Sequence, residues 1–290
     1  GVEFRAVSVG EGWELFVHSI YADRKVDDLD ISWITQLTSD RLHALELMLS
    51  RWDGPVSVVV YSHNVTRDVE AIAPLRGRVD VHITPAVLHQ GRPYPVNSLR
   101  NAAIETARTT YFVVCDADMV PPIGSYQALK ALLPAWERGP PAVHVLPAFQ
   151  VAAGEPLPLT KSELEALASR GRASQVHPEP SRMQAHVNTD YRKWWNAVSE
   201  YKVNYTMPYE PYFAASKRVP RYPNEFAGYG NDKTAHCLEV WYSGMQFLVV
   251  PGVFVVHADH PMADWMVQES DTWESHMRDR MASFFADVAE

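Results

Sequence analysis

Tyr111-Phe112-Val113-Val114-Cys115-Asp116-Ala117-Asp118-Met119-Val120-Pro121 is an apolar run that ends in two carboxylates one residue apart. An unbroken aromatic and β-branched run without polar alternation describes a strand covered on both faces, as in the parallel sheet of an α/β protein. Open α/β sheets bind ligands beyond the carboxyl ends of their strands, so Asp116 and Asp118 stand where a metal or phosphate site is expected. Asp-x-Asp alone carries little weight. About one such triplet is expected by chance in so acidic a chain, and Asp28-Leu29-Asp30 reads as one on a polar surface segment.

The flanking segments alternate strand and helix. Residues 31–36 read as a first strand, followed by a turn in which Ser39 is a natural N-cap for a helix with Leu42, Leu45, Leu49 and Trp52 on one face. Gly54-Pro55 stops that helix and residues 56–61 start a second strand, which completes a βαβ unit. A weaker helix near 67–75, a strand over 79–84, a helix over about 97–108 and the 111–116 strand continue the alternation. The expected fold class is therefore α/β, with a Rossmann-like, mainly parallel central sheet and flanking helices.

After Pro121-Pro122 the pattern predicts a helix to about residue 133, a strand over 142–149, and a long polar, Pro-containing region over 150–208 holding one clear helix at 162–169. The cluster Tyr191, Trp194 and Trp195 reads as core, because Trp is heavily buried on average, with a carbohydrate platform as the alternative. A strand over 209–216, a helix over 233–242 and strands over 245–250 and 253–257 follow. A final helix puts Trp273, Met277, Met281, Phe284 and Val288 on one face, to be packed against the body.

At 290 residues and 47% hydrophobic, the chain can bury one large core. A net charge of -9 without a dense Lys/Arg run argues against nucleic acid as a partner. Arg41 and Arg100 still offer local basic groups for one phosphate. No apolar stretch approaches the roughly 18 to 20 residues of a transmembrane span, so membrane insertion by this chain is not expected, and the N-terminus has no visible signal pattern. Cys115 and Cys237 both fall in apolar settings and read as buried free thiols. Asn64 and Asn204 open N-x-Thr triplets, a pattern suited to a secreted or luminal protein.

A second apolar run, Val253-Phe254-Val255-Val256, leads into His257-Ala258-Asp259-His260, so the chain twice carries a strand straight into metal-ligand types. Two carboxylates and an imidazole suit Mn²⁺ or a related divalent ion, with positions left open for phosphate oxygens; two cysteines exclude an all-thiolate zinc site. In Phe226-Ala-Gly-Tyr-Gly-Asn-Asp-Lys233, two glycines permit a tight turn before a helix. Asp232 there is either a helix cap or a general base for an acceptor hydroxyl, and Glu210 is the rival base.

These segments together resemble glycosyltransferase family 49, the family of the LARGE glucuronyltransferase modules and β-1,4-glucuronyltransferase, over about residues 31–262. The resemblance rests on Ile34-Thr-Gln-Leu-Thr-Ser-Asp-Arg-Leu42, Trp52-Asp-Gly-Pro55, Tyr94-Pro-Val-Asn-Ser-Leu-Arg-Asn101, Asp116-Ala-Asp-Met-Val-Pro121, Leu146-Pro-Ala-Phe149, Glu210-Pro-Tyr212, Gly228-Tyr-Gly230, His257 and His260-Pro261. It implies one GT-A domain over 1–290: a nucleotide-sugar-binding half at about 31–150, an acceptor-side half with a smaller sheet at about 151–262, and a C-terminal helix over 263–290. It also implies a UDP-sugar donor, Mn²⁺, inversion at the anomeric carbon, a glycan acceptor and a Golgi or secretory location.

Carried over position by position, the resemblance has Asp116 facing ribose and metal, Asp118 and His257 binding Mn²⁺, and Thr35 and Gln36 near uridine. Arg100 and Asn97 would meet the nucleotide or a sugar carboxylate. Glucuronic acid is the expected sugar; xylose, N-acetylglucosamine and galactose are alternatives, as is a non-catalytic glycan-binding protein on the same fold. A metal-dependent phosphohydrolase would need more ligands than Asp116, Asp118 and His257. Asp232 falls where family members carry Asn, which leaves the base open between Asp232 and Glu210.

Overall fold

The computed structural model describes residues 3–10, 12–89, 93–176, 183–228, 230–259, 281 and 283–284. The chain begins with an antiparallel hairpin, β1 (Arg5–Gly10) and β2 (Trp13–Ile20), ahead of the first strand expected from sequence. Val7, Val9, Leu15 and Val17 alternate inward while Ser8 and Phe16 face out, the period-2 pattern of a half-covered edge. Then follow β3 (Ile31–Thr38), α1 (Leu42–Leu49), β4 (Val56–Ser62), α2 (Val65–Ala71), β5 (Asp80–Pro85), α3 (Val96–Thr106), β6 (Tyr111–Val114) and β7 (Met119–Val120). The second half adds α4 (Ser125–Arg138), β8 (Ala142–Leu146), β9 (Ala148–Val151), α5 (Lys161–Ser169), β10 (Ala173–Gln175), α6 (Tyr191–Asn196), β11 (Tyr201–Val203), β12 (Tyr212–Ser216), α7 (Asp232–Tyr242), β13 (Gln246–Val249) and β14 (Val255–His257).

Among the described residues these strands form two sheets, a large one ordered β1-β2-β5-β4-β3-β6-β12-β8-β13-β11 and a small one ordered β10-β9-β14-β7. The expected α/β class with a smaller second sheet is what the chain adopts. Among the described residues of the large sheet, parallel pairing joins β5, β4, β3 and β6 in one block and recurs at β8–β13 while the other pairs are antiparallel, so that sheet is mixed; in the small sheet β9 and β14 are also parallel. Within that block β4 is buried at all seven positions, because helices cover both faces of a parallel sheet and leave no polar side. One core layer gathers Trp33, Trp52, Tyr126 and Leu129 beneath α1 and α4, and the other gathers Ile34, Leu99, Phe112 and Phe213 beside α3.

Several sequence expectations shift. Ser39 is not the N-cap of α1: it begins a 3₁₀ turn over Ser39–Arg41, and α1 starts after Arg41 without a side-chain cap. The strand expected over 142–149 is two strands, broken at Pro147, which has no N–H for a ladder; β8 stays in the large sheet and β9 crosses to the small one. The helix after Pro121-Pro122 runs on to Arg138 despite Pro134. Asp30 is not a surface residue. It is buried, accepts hydrogen bonds from the Ile31 N–H (2.8 Å) and Tyr126 hydroxyl (3.0 Å), and pairs with Lys130 at 3.2 Å.

Trp194 is fully buried and donates its indole N–H to the Val250 carbonyl at 2.9 Å, so the aromatic cluster is core. Cys115 and Cys237 are free and buried. Of the expected C-terminal helix, Met281 and Phe284 pack against Phe226, Ala235 and Leu238; Trp273, Met277 and Val288, like His260 and Pro261, lie outside the described residues.

Candidate active site

The parallel strands β3, β4, β5 and β6 end at one edge of the large sheet, and the chain leaves β6 through Cys115 into Asp116. Asp116 is surrounded by donors. Arg100 Nη2 donates to Oδ1 at 2.8 Å, while the Tyr212 hydroxyl (2.8 Å) and Lys233 Nζ (3.0 Å) both donate to Oδ2. Burial alone would raise this carboxyl, but the Lys233 and Arg100 cations outweigh it and hold it well below the usual carboxylate range.

Arg100 comes from α3, a helix buried nearly all round because the sheet lies on one side and the loop over residues 220–226 on the other. Asn97 and Asn101 fasten that loop: their side-chain amides donate to the Pro223 carbonyl at 2.8 Å and the Tyr222 carbonyl at 2.7 Å. Arg100 itself bridges Asp116 and Asp232, donates to Asn97 Oδ1 at 3.0 Å and lies over the Tyr222 ring. Its side chain is only 4% exposed, so the fork expected at a nucleotide is engaged within the protein. Removing one partner of such a buried pair typically costs about 3–5 kcal/mol, because the other charge is left without compensation.

Asp232 opens α7. Gly228 and Gly230 adopt φ of 85° and 97° and Asn231 a left-handed φ of 56°, backbone that glycine takes without strain, and this turn aims Asp232 inward. Its carboxylate bonds Arg100 rather than the helix N–H groups. Burial would raise its pKa, but Lys233 and Arg100 together lower it. Glu210 behaves in the opposite way: burial dominates and pushes it up, although Lys233 and a 2.6 Å hydrogen bond from the Thr234 hydroxyl pull it back. The two candidate bases therefore sit in one cluster with opposite basicity.

Asp118 and His257 meet in the small sheet. Antiparallel pairing of β7 with β14 sets Met119 opposite His257, the Ala258 N–H donates to the Asp118 carbonyl at 2.8 Å, and His257 Nε2 lies 3.5 Å from Asp118 Oδ2. Both side chains are about a quarter exposed, at 25% and 24%. A carboxylate oxygen beside an imidazole nitrogen, open to solvent, can hold a divalent cation and leave positions for substrate oxygens. No third His, Cys, Asp or Glu joins them in a cluster among the described residues.

The remaining expected residues lie outside this cluster. Thr35 is buried on the face of β3 that carries Trp33 and Leu37, its hydroxyl without a hydrogen-bond partner among the described residues. Gln36 faces the other way and accepts from the Tyr94 hydroxyl; the Tyr94 carbonyl in turn accepts from the Gly228 N–H at 2.6 Å, which ties β3 to the glycine turn. Arg41 sits in the turn after β3 and pairs with Asp40 at 3.6 Å. Lys233 and Tyr212 had no role in the sequence reading, though both lie in segments it singled out. Their signal was adjacency, one residue after Asp232 and two after Glu210.

A large mixed sheet whose parallel strands end on an Asp-x-Asp turn, with a small second sheet beside it, is the GT-A type of architecture. Residues 78–289 match the model of glycosyltransferase family 49, described as "Glycosyl-transferase for dystroglycan", and the chain belongs to that family. It is 35% identical over 244 residues to the xylosyl- and glucuronyltransferase LARGE2 of Rattus norvegicus, covering 80% of this chain and 34% of that protein. With LARGE1 of Homo sapiens the identity is 29% over 254 residues, covering 84% and 33%. The chain thus spans about a third of the length of the curated relatives it matches. Among solved structures, GalNAc-T7 with UDP, GalNAc and Mn²⁺ aligns with a TM-score of 0.48 and 13% identity, over 88% of this chain and 50% of that one.

Proposed function

We propose that this site transfers a sugar from a UDP-sugar to a glycan hydroxyl with inversion, and that the sugar is glucuronic acid. The observation that carries the reading is the Asp118–His257 pair, 3.5 Å apart and solvent-accessible, in a chain of a glycosyltransferase family. The donor set fits a divalent ion such as Mn²⁺, held by Asp118 and His257. When bound, that ion would offset the negative charge that grows on the departing diphosphate. The relatives' names offer two sugars, xylosyl and glucuronyl.

Within the cluster, this reading gives Glu210 and Asp232 different roles. Glu210, raised by burial, takes the proton from the acceptor hydroxyl, and Thr234 orients it. Asp232, lowered and paired, holds Arg100 in place beneath Asp116. Residues 31–150 would supply most donor contacts and residues 151–262 the acceptor side. The family description names dystroglycan, which supports an acceptor of that kind; the secretory location is carried by the family resemblance alone. No helix among the described residues is long and apolar enough to cross a membrane.

A donor screen tests this directly. Incubated with Mn²⁺ and separate UDP-sugars, the protein is expected to release UDP fastest from UDP-glucuronic acid. Release from none of them would reject donor chemistry, and preference for another sugar would reject the glucuronyl assignment.

A further inference from the structure

A water-sized cavity of about 10 Å³ at the end of β6 is lined by Asp116, Tyr212, Tyr222, Cys237 and two cations, Arg100 and Lys233. Their situations differ. Arg100 is 4% exposed and holds three partners, so withdrawing it would strand Asp232 and part of Asp116. Lys233 is 22% exposed, stands 3.0 Å from Asp116 Oδ2 and is 3.8 Å from Asp232, too far for a hydrogen bond. If its ammonium swung away, Asp116 would still be satisfied at both oxygens, by Arg100 on Oδ1 and Tyr212 on Oδ2. Asp232 would still hold Arg100. Lys233 is therefore the cation that can leave with Asp116 and Asp232 each keeping a hydrogen bond from Arg100, although both carboxylates then lose its charge and share that one guanidinium.

We propose that Lys233 is the protein's own contact to the donor diphosphate, exchanging Asp116 Oδ2 for a phosphate oxygen when the nucleotide binds. This rests on the UDP-sugar reading above. The charge balance gives the exchange a reason. Asp116, Asp118, Asp232 and Glu210 bring four carboxyl groups to the site, and Arg100 is already committed, so a diphosphate entering here needs another positive group aimed at it. An ammonium on a flexible stem is suited to this, because it carries three donors and can turn from one anion to another without the fixed geometry of a guanidinium. Arg100 and Tyr212 keep Asp116 in place during the exchange.

The test compares UDP with uridine on wild type, Lys233→Met and Lys233→Arg. UDP affinity is measured by calorimetry in the presence of EDTA, so that no metal contributes, and uridine binding by ligand-observed NMR. Lys233→Met is expected to lose UDP affinity by roughly tenfold or more, the scale of a lost charge-assisted contact, while uridine binding is unchanged and Lys233→Arg recovers part of the loss. Unchanged uridine binding also shows that the variant is folded. Equal UDP affinity in wild type and Lys233→Met would overturn the inference, as would a parallel loss of uridine, which would make Lys233 a scaffold residue. Wild-type binding of UDP in Mn²⁺ but not in EDTA moves the comparison to Mn²⁺, where equal UDP affinity in wild type and Lys233→Met would likewise overturn the inference; failure of wild type to bind UDP in both conditions would instead remove the donor reading, and this inference with it.

Discussion

Asp116 shows how far a residue's type falls short of its role. Sequence placed it at a strand end beside Asp118 and His257, and the structure brings Asp118 and His257 together as a pair. Asp116 points the other way, into Arg100, Lys233 and Tyr212. The strand endings were legible because an apolar run stopping at polar ligand types is a local signal. The Lys233 and Tyr212 contacts were not, because they span 117 and 96 residues of sequence. The choice of base likewise depended on long-range neighbours, and a pair of conservative variants tests it. Glu210→Gln is expected to lower kcat by about 10²–10⁴-fold, the usual contribution of a general base, whereas Asp232→Asn, which keeps a hydrogen-bond acceptor for Arg100, should stay within about tenfold of wild type. The reverse order would make Asp232 the base.

At the scale of elements, the βαβ alternation from residue 31 to 114 was readable because each segment is short and its periodicity unmixed. The split of 142–149 between two sheets was less so: Pro147 was visible, but nothing local said that the chain beyond it would change partners. The N-terminal hairpin carried its signal in the alternation of Val7, Val9, Leu15 and Val17 around a turn, outside the region of family resemblance. Trp52-Asp-Gly-Pro55 shows what tertiary packing adds to a turn motif. Trp52 lies against both Trp33 and Tyr126, with ring centroids at 5.3 and 5.4 Å, and a Cβ on Gly54 would run into the Tyr126 ring. Gly54→Ala should therefore destabilise the protein by about 1–3 kcal/mol, the usual range for overpacking, read as a lower urea midpoint. An unchanged midpoint would mean that the stack yields freely.

For the whole molecule, two fully buried histidines set a dependence on acid. Burial holds both His82 and His236 at about 3, below the ordinary 6.5, so they stay neutral when the unfolded chain would already be protonated. The unfolded state then binds more protons, and stability, fully present above pH 6.5, falls as pH drops towards 3. Glu210, raised by burial, acts in the opposite direction over part of that window, while Asp116 and Asp232, both lowered, add their loss only below about 4. The unfolding free energy from urea titrations should decline between pH 6.5 and 4.5, by on the order of a few kcal/mol in total, and His236→Phe should flatten the slope. An identical slope in that variant would exclude His236 as a source. The central claim is a divalent-ion site built by the two strand ends, β6 running into Asp118 and β14 ending at His257. Its most direct measurement is the binding of Mn²⁺ in the presence of UDP, followed by the loss of the free-ion signal in electron paramagnetic resonance, on wild type and Asp118→Asn. One saturable site in wild type that disappears in Asp118→Asn is the predicted result; equal Mn²⁺ binding by the two proteins would contradict it.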